Sequence, residues 1–198
     1  MRLIAIDPSL SSTGVAIFEN GSLVYVNKIT TTSKETEEFR IYKIAKELSF
    51  IIQRFEVTES IQETQFVSRN VKTALQLSRL RGAILYMLYE NNVKAAFKTP
   101  SEVRQVLLDN GSADKLDVAQ FVQTAFPDNE LVKNLGEFND RTCKDKNSDM
   151  YDAISIGLAY IKKPENNPPK PKKVKKLKAV EEIDGKEIET KKRKRKEV

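Results

Sequence analysis

Four acids stand where their chemistry needs an explanation. Asp7 ends "RLIAID" (2–7), whose apolar run reads as a short buried strand. Glu63 lies inside "SIQETQF" (60–66), a second strand pattern with alternating polar positions. Asp149 and Asp152 are three residues apart in "SDMYDAISIGLAYI", so they share one helix face. An ionised carboxylate at the end of a buried strand loses several kcal/mol of solvation unless something pairs with it. Carboxylates gathered at one place also raise each other's pKa values. A hard divalent cation relieves both problems, and an all-oxygen, water-retaining site suits Mg²⁺.

Taken singly, each acid has an ordinary account. Asp7 can open an Asx turn before Pro8. Asp149 and Asp152 suit the first turn of a helix through its dipole. Glu63 can face solvent from a strand. The case for a metal site rests on four acids on separate elements that one sheet can bring together.

Composition removes other chemistries. The chain of 198 residues has no histidine and one cysteine, Cys143. Imidazole acid–base catalysis, Ser-His-Asp triads, standard zinc sites and an internal disulfide are excluded. The lone cysteine fits a reducing, intracellular setting. No charged-then-apolar leader opens the sequence, and no apolar run approaches the ~20 residues of a membrane span.

The elements that position the acids follow in order. "GVAIFEN" and "SLVYVNKIT" flank Asn20-Gly21, a hairpin signal. Thr32 and Glu35 have capping-box spacing ahead of a helix with apolar Ile41, Ile44, Leu48, Ile51, Ile52 and Phe55. After the strand at 60–66 come a long helix over 70–92 and a strand over 93–99. Ser101 is placed to cap a short helix to Asp109, Ser112 a second one to Phe126, and Ser148 the last. Residues 127–147 read as polar and irregular. The order β-β-β-α-β-α-β-α-α-loop-α predicts an α/β fold, a mixed sheet flanked by helices.

Charge divides the chain in two. Residues 163–198 carry 14 Lys and Arg against 7 Asp and Glu, a net of +7, and the first 162 carry 20 against 21, a net of −1. The segment from Lys163 is rich in proline and lysine and poor in large apolar residues, so it reads as a disordered tail. Domain boundaries of 1–162 and 163–198 follow. A basic tail suits a polyanion such as nucleic acid.

Four stretches in this order resemble the RuvC-type Holliday junction resolvases of the ribonuclease H-like superfold, including phage-type members: "IAIDPSLSSTGVAI", "ETQFVSRNVKTALQLSRLRG", "VRQVLLDNGSADK" and "SDMYDAISIGLAY". The resemblance covers about residues 1–162 and implies a five-stranded mixed sheet. It makes Asp7, Glu63, Asp149 and Asp152 the catalytic, metal-binding acids. Many relatives have histidine at the third position, where this chain has Asp149. The resemblance implies two Mg²⁺ ions per site, ~4 Å apart, with Mn²⁺ as a substitute. Lys115 would neutralise charge developing on the phosphate as part of the catalytic set. Arg69, Arg104 and Lys115 would contact DNA, and Phe66 would wedge into the junction centre.

A four-way or otherwise branched DNA substrate follows, with forks and flaps included, and no small-molecule substrate. A junction has approximate two-fold symmetry and needs two cuts, so the resemblance implies a homodimer. "GAILYMLY" (82–89), apolar around most of its circumference, supplies a surface for it. The expected location is the cytoplasm of a bacterium or a phage-infected host. "KKRKRK" (191–196) would read as a nuclear signal only in a eukaryotic host. The segment 127–147, longer than the family's usual link, carries Lys133, Arg141, Lys144 and Lys146 as possible contacts to DNA arms. Two alternatives remain: a junction-binding protein without nuclease activity, and an RNA-processing nuclease of the same superfold. An actin- or sugar-kinase-type ATPase, suggested by the opening motif alone, needs a longer chain with two such domains.

Overall fold

The computed structural model describes residues 1–64, 70–136 and 147–162. The chain divides into two units, Met1–Pro164 and Glu165–Val198, and the described residues all belong to the first. Phe66, Arg69, Arg141, Cys143, Lys144, Lys146 and the tail from 163 lie outside the described residues.

Five strands form one mixed sheet in the order β3-β2-β1-β4-β5. They are β1 (Arg2–Asp7), β2 (Ser12–Glu19), β3 (Ser22–Thr30), β4 (Glu59–Glu63) and β5 (Lys94–Lys98). The first three run antiparallel, and β4 lies parallel to β1 and β5 parallel to β4. The β2–β3 connection is the expected two-residue loop. Asn20 and Gly21 both take positive φ, 50° and 90°, as a primed hairpin turn requires.

Side chains along a strand alternate between the two faces of the sheet. Leu3 and Ala5 of β1 join one apolar cluster, and Ile4 and Ile6 join the other. The second cluster is closed by α1 (Glu37–Arg54) and α2 (Val71–Glu90). The first is closed by α3 (Pro100–Leu108), α4 (Lys115–Ala125), α5 (Glu130–Lys133) and above all α6 (Ser148–Ile161). Helix α6 is buried without a break from Ala153 to Ala159, so it is apolar around its circumference and enclosed by its neighbours.

The element order is as read from the sequence, with one addition and four shifted caps. Within 127–147, expected to be irregular, Asn129 caps the short helix α5, whose Val132 is buried with Leu135 in the core. Asn129 also donates to the Leu23 carbonyl at 3.1 Å, tying the segment to β3. The cap of α1 is Thr36; Thr32 and Glu35 close a separate turn ahead of it. Thr99, with Pro100 at the first helical position and Glu102 completing a capping box, replaces Ser101 as the cap of α3. Asp114 and Asp117 form the box of α4 in place of Ser112. Asn147 precedes α6 without a side-chain cap bond, and Ser148 is the first, buried residue of that helix.

Candidate active site

The sheet places Asp7 and Glu63 side by side. Strand β1 pairs with β4 in parallel, with Ile6 opposite Gln62, so both acids follow at the same end of neighbouring strands. Asp7 lies two residues after Ala5, and Glu63 two after Ile61. Both therefore project to the face covered by α6.

Helix α6 can come close because of glycine. Gly14 of β2 pairs with Asp7. A Cβ on Gly14 would lie 1.9 Å from the Asp149 carbonyl oxygen and 3.3 Å from the Ala153 Cβ. The first turn of α6 thus rests directly on the backbone beside Asp7. Further along, a Cβ on Gly157 would stand 2.1 Å from the Phe18 ring. The helix is clipped to the sheet at two points, and the first carries Asp149 and Asp152 to the strand ends. Gly14 was not singled out by sequence, although a glycine inside a strand is a known mark of close backbone approach.

Electrostatics place Asp7 under the charge of the other three acids. Burial drives the Asp7 carboxyl well above the ordinary carboxylate range, and the negative charges of Asp152, Glu63 and Asp149 push it further. Burial also raises Glu63 to about 7, with Asp152 adding to the rise. Asp152 is raised by burial and by Asp149, even though Lys115 Nζ donates to its Oδ2 at 2.6 Å. That pair is partly exposed, at 36% for Lys115 and 18% for Asp152, so the ammonium stands at the mouth of the site.

Three cations oppose this charge. Lys115 favours the ionised forms of Asp7, Glu63 and Asp152, and Arg104 those of Glu63 and Asp152. The structure therefore unites Asp7, Glu63, Asp149, Asp152, Lys115 and Arg104. Sequence reasoning missed the third cation, Arg81 of α2. Its Nη2 donates to the Glu63 carbonyl at 2.6 Å, and its own pKa is lowered by burial. The signal was an arginine in the helix after the second acid, one of two in "SRLRG". Lys133, a candidate for a DNA-arm contact, pairs with Glu130 at 3.1 Å and lies 4.0 Å from Asp128.

The donor set is wholly oxygen and fits a hard cation. Among the described residues, no group of three or more such side chains stands close enough to hold a metal ion as arranged. What the site offers is concentrated negative potential with too few cations to balance it.

A model of the family described as crossover junction endodeoxyribonuclease RuvC matches residues 3–158. The chain belongs to this family. The RuvC protein of Finegoldia magna is 28% identical over 165 residues, covering 81% of this chain and 93% of the relative. That of Caldicellulosiruptor saccharolyticus is 28% identical over 166 residues, covering 81% and 92%. Among solved structures, Thermus thermophilus RuvC in complex with a Holliday junction substrate superposes with a TM-score of 0.64 at 20% identity, over 82% of this chain and 93% of that one. This likeness establishes the RuvC fold. Nucleases of the RuvC family are metal-dependent. No described helix is long and apolar enough to cross a membrane.

Proposed function

We propose that this chain is an endonuclease that resolves four-way DNA junctions by paired, symmetric nicks. Its membership of the RuvC family gives the reaction class. The observation that carries the mechanism is Asp7: a buried strand-end carboxylate surrounded by three further acids. Such a centre is unfavourable in the free protein and becomes favourable when divalent cations enter.

Asp7, Glu63, Asp149 and Asp152 would hold Mg²⁺, two ions per site with Mn²⁺ able to replace it. When bound, such ions orient the phosphodiester, make hydroxide available from water at neutral pH and stabilise the leaving oxygen. The chain's own residues supply the rest. Lys115 is paired with Asp152 at the rim. Its ammonium would face the charge that grows on the phosphate. Arg104 adds positive potential on the same side. Arg81 fixes the backbone of Glu63, so this carboxylate is presented from a rigid strand end. Phe66 would wedge into the crossover, and Arg69 would contact the DNA.

The dimer is part of the same proposal. Tyr86 and Tyr89 of α2 are about 70% exposed, and Tyr42 and Phe50 of α1 lie open near them. Tyr42, Phe50, Tyr86 and Met87 line an apolar groove of about 560 Å³. A second copy related by two-fold symmetry covers this face and sets two sites on one junction.

The test is an end-labelled immobile junction incubated with Mg²⁺ beside a fork, a flap, linear duplex and structured RNA. The wild type runs next to Asp7→Asn, and sedimentation gives the mass of the free protein. Paired nicks in the junction, lost in Asp7→Asn, support the reading. Tight junction binding without cutting, or cutting confined to RNA, overturns it.

A further inference from the structure

A second polar hollow lies on the other side of the Asp7 turn. Directly after Asp7 the chain turns through Pro8, Ser9, Leu10 and Ser11. This turn is held firmly. The Thr13 hydroxyl donates to the Ser9 carbonyl at 2.6 Å, and the Thr31 hydroxyl donates to the Leu10 carbonyl. Arg40 of α1 reaches over it. Its Nε donates to Thr31 Oγ1 at 2.7 Å, and its Nη2 lies 3.5 Å from Ser11 Oγ. Opposite stands the first turn of α2. Pro8, Ser9, Ser11, Arg40, Thr73 and Gln76 line a hollow of about 390 Å³ between them.

Among the described residues, Arg40 is the one charged side chain that lines this hollow. The guanidinium of Arg40 is oriented by neutral hydroxyls and makes no salt bridge among the described residues. The first turn of α2 contains no acid, and beyond the Asn70 side chain, which accepts from the Thr73 N–H at 3.2 Å, no negative charge there offsets the positive end of its dipole. Glu37, on the α1 side, also feels the charge of Arg40, but its hydrogen bonds come from Arg79 at 2.8 Å and the Gln76 amide at 3.0 Å. A guanidinium, three hydroxyls and a helix N-terminus around one open hollow form an anion site. Its position next to the Asp7 turn selects the anion.

We propose that this hollow binds a backbone phosphate of the DNA, held by Arg40, Ser9, Ser11 and Thr73. It grips the nucleic acid on the opposite side of the Pro8–Ser11 turn from the acids. The inference rests on the DNA substrate of the preceding reading. It adds a contact that positions the substrate without taking part in the chemistry.

Two variants of the full chain test it by fluorescence anisotropy, with labelled junction and labelled linear duplex in EDTA over a range of salt. Arg40→Gln removes the charge. Thr73→Asp places a negative charge in the hollow at the third residue of α2, where an acid favours the helix, so folding is preserved or improved. Each variant is expected to weaken binding about threefold to tenfold at moderate salt. Each should also reduce the slope of log affinity against log salt by about 1, the loss of one phosphate contact. Unchanged affinity and slope in both variants overturn the proposal. Weaker binding in Arg40→Gln alone, with a lowered Tm and no effect of Thr73→Asp, also overturns it, because Arg40 then only braces the turn. Wild-type protein that binds duplex as well as junction contradicts the junction reading. The variant slopes on duplex still report the phosphate contact in that case.

Discussion

Replacing Glu63 by glutamine should abolish cutting and yet stabilise the metal-free protein. The folded carboxyl titrates near 7 against an ordinary value of 4.5, chiefly because it is buried. The native state thus holds the proton more tightly than the unfolded chain. Stability from this group is fully present below about 4.5 and is lost as pH rises to about 7. A shift of this size corresponds to roughly 3 kcal/mol at most. Solvent screening of a side chain that keeps some exposure lowers this to about 1–2 kcal/mol. Glutamine has nearly the same shape and no charge, so at pH 8 the variant gains that amount.

At 2–4 °C per kcal/mol for a domain of this size, the gain is about 2–8 °C in Tm. Thermal melts in EDTA at pH 8 and pH 5 measure it. The gain should be clear at pH 8 and shrink to a fraction at pH 5, where the native carboxyl is protonated. With excess Mg²⁺ the order should reverse, because a ligand bound only by the folded wild type raises its stability by mass action. A Glu63→Gln protein that melts below wild type by the same margin at both pH values in EDTA would refute the reasoning. The ionised carboxylate would then be making favourable native contacts, and the crowding of acids would not be a source of strain.

Three further outcomes follow from the same geometry. Lys115→Met removes the 2.6 Å partner of Asp152 and a cation that lowers the pKa of three acids; the rate should fall about 10²–10³-fold, and the acidic limb of the pH–rate profile should move to higher pH. Gly14→Ala puts a Cβ 1.9 Å from the Asp149 carbonyl; the overpacking should cost about 1–3 kcal/mol, seen as a lower urea midpoint, and cleavage should fall by more than the loss of folded protein explains. Deleting 163–198, with its net charge of +7, should flatten the salt dependence of DNA binding by several units of slope; an unchanged slope in a binding titration would show that the tail does not touch phosphates.

The local period of the sequence carried most of the fold. The strands at 2–7 and 93–99 and the hairpin at Asn20-Gly21 were legible because alternation and primed turns are local signals. Helix starts were less so. Ser and Thr abound near each one, and the choice of Thr36 over Thr32 or of Thr99 over Ser101 depends on where the preceding strand releases the chain. Helix α5 was hidden for another reason. Its four residues are too few for a period to show, and burial of Val132 and Leu135 stabilises it. The acids were found because a carboxylate after an apolar strand is conspicuous and the family motifs name the rest. Gly14 and Arg81 were missed because each acts through a backbone atom of another element, Asp149 in one case and Glu63 in the other. Such contacts exist only once β2 meets α6 and α2 meets β4.

The arrangement also explains how the most buried helix can bring two acids to the strand ends. Asp149 stands in the first turn of α6, which would suit its charge in isolation, and Asp152 follows three residues on. Here that turn is pressed onto the end of β1, where Asp7 adds a third acid and Glu63 a fourth. A helix free to slide would relieve the repulsion by moving away. Helix α6 cannot, because the Phe18 ring stands against Gly157 and the chain from Ala153 to Ala159 is enclosed by the core. Apolar packing along two turns thus holds Asp149 and Asp152 in place beside Asp7. Loosening that packing far from the acids, for example by Phe18→Leu, would let them separate and weaken Mg²⁺ binding without altering a single proposed ligand.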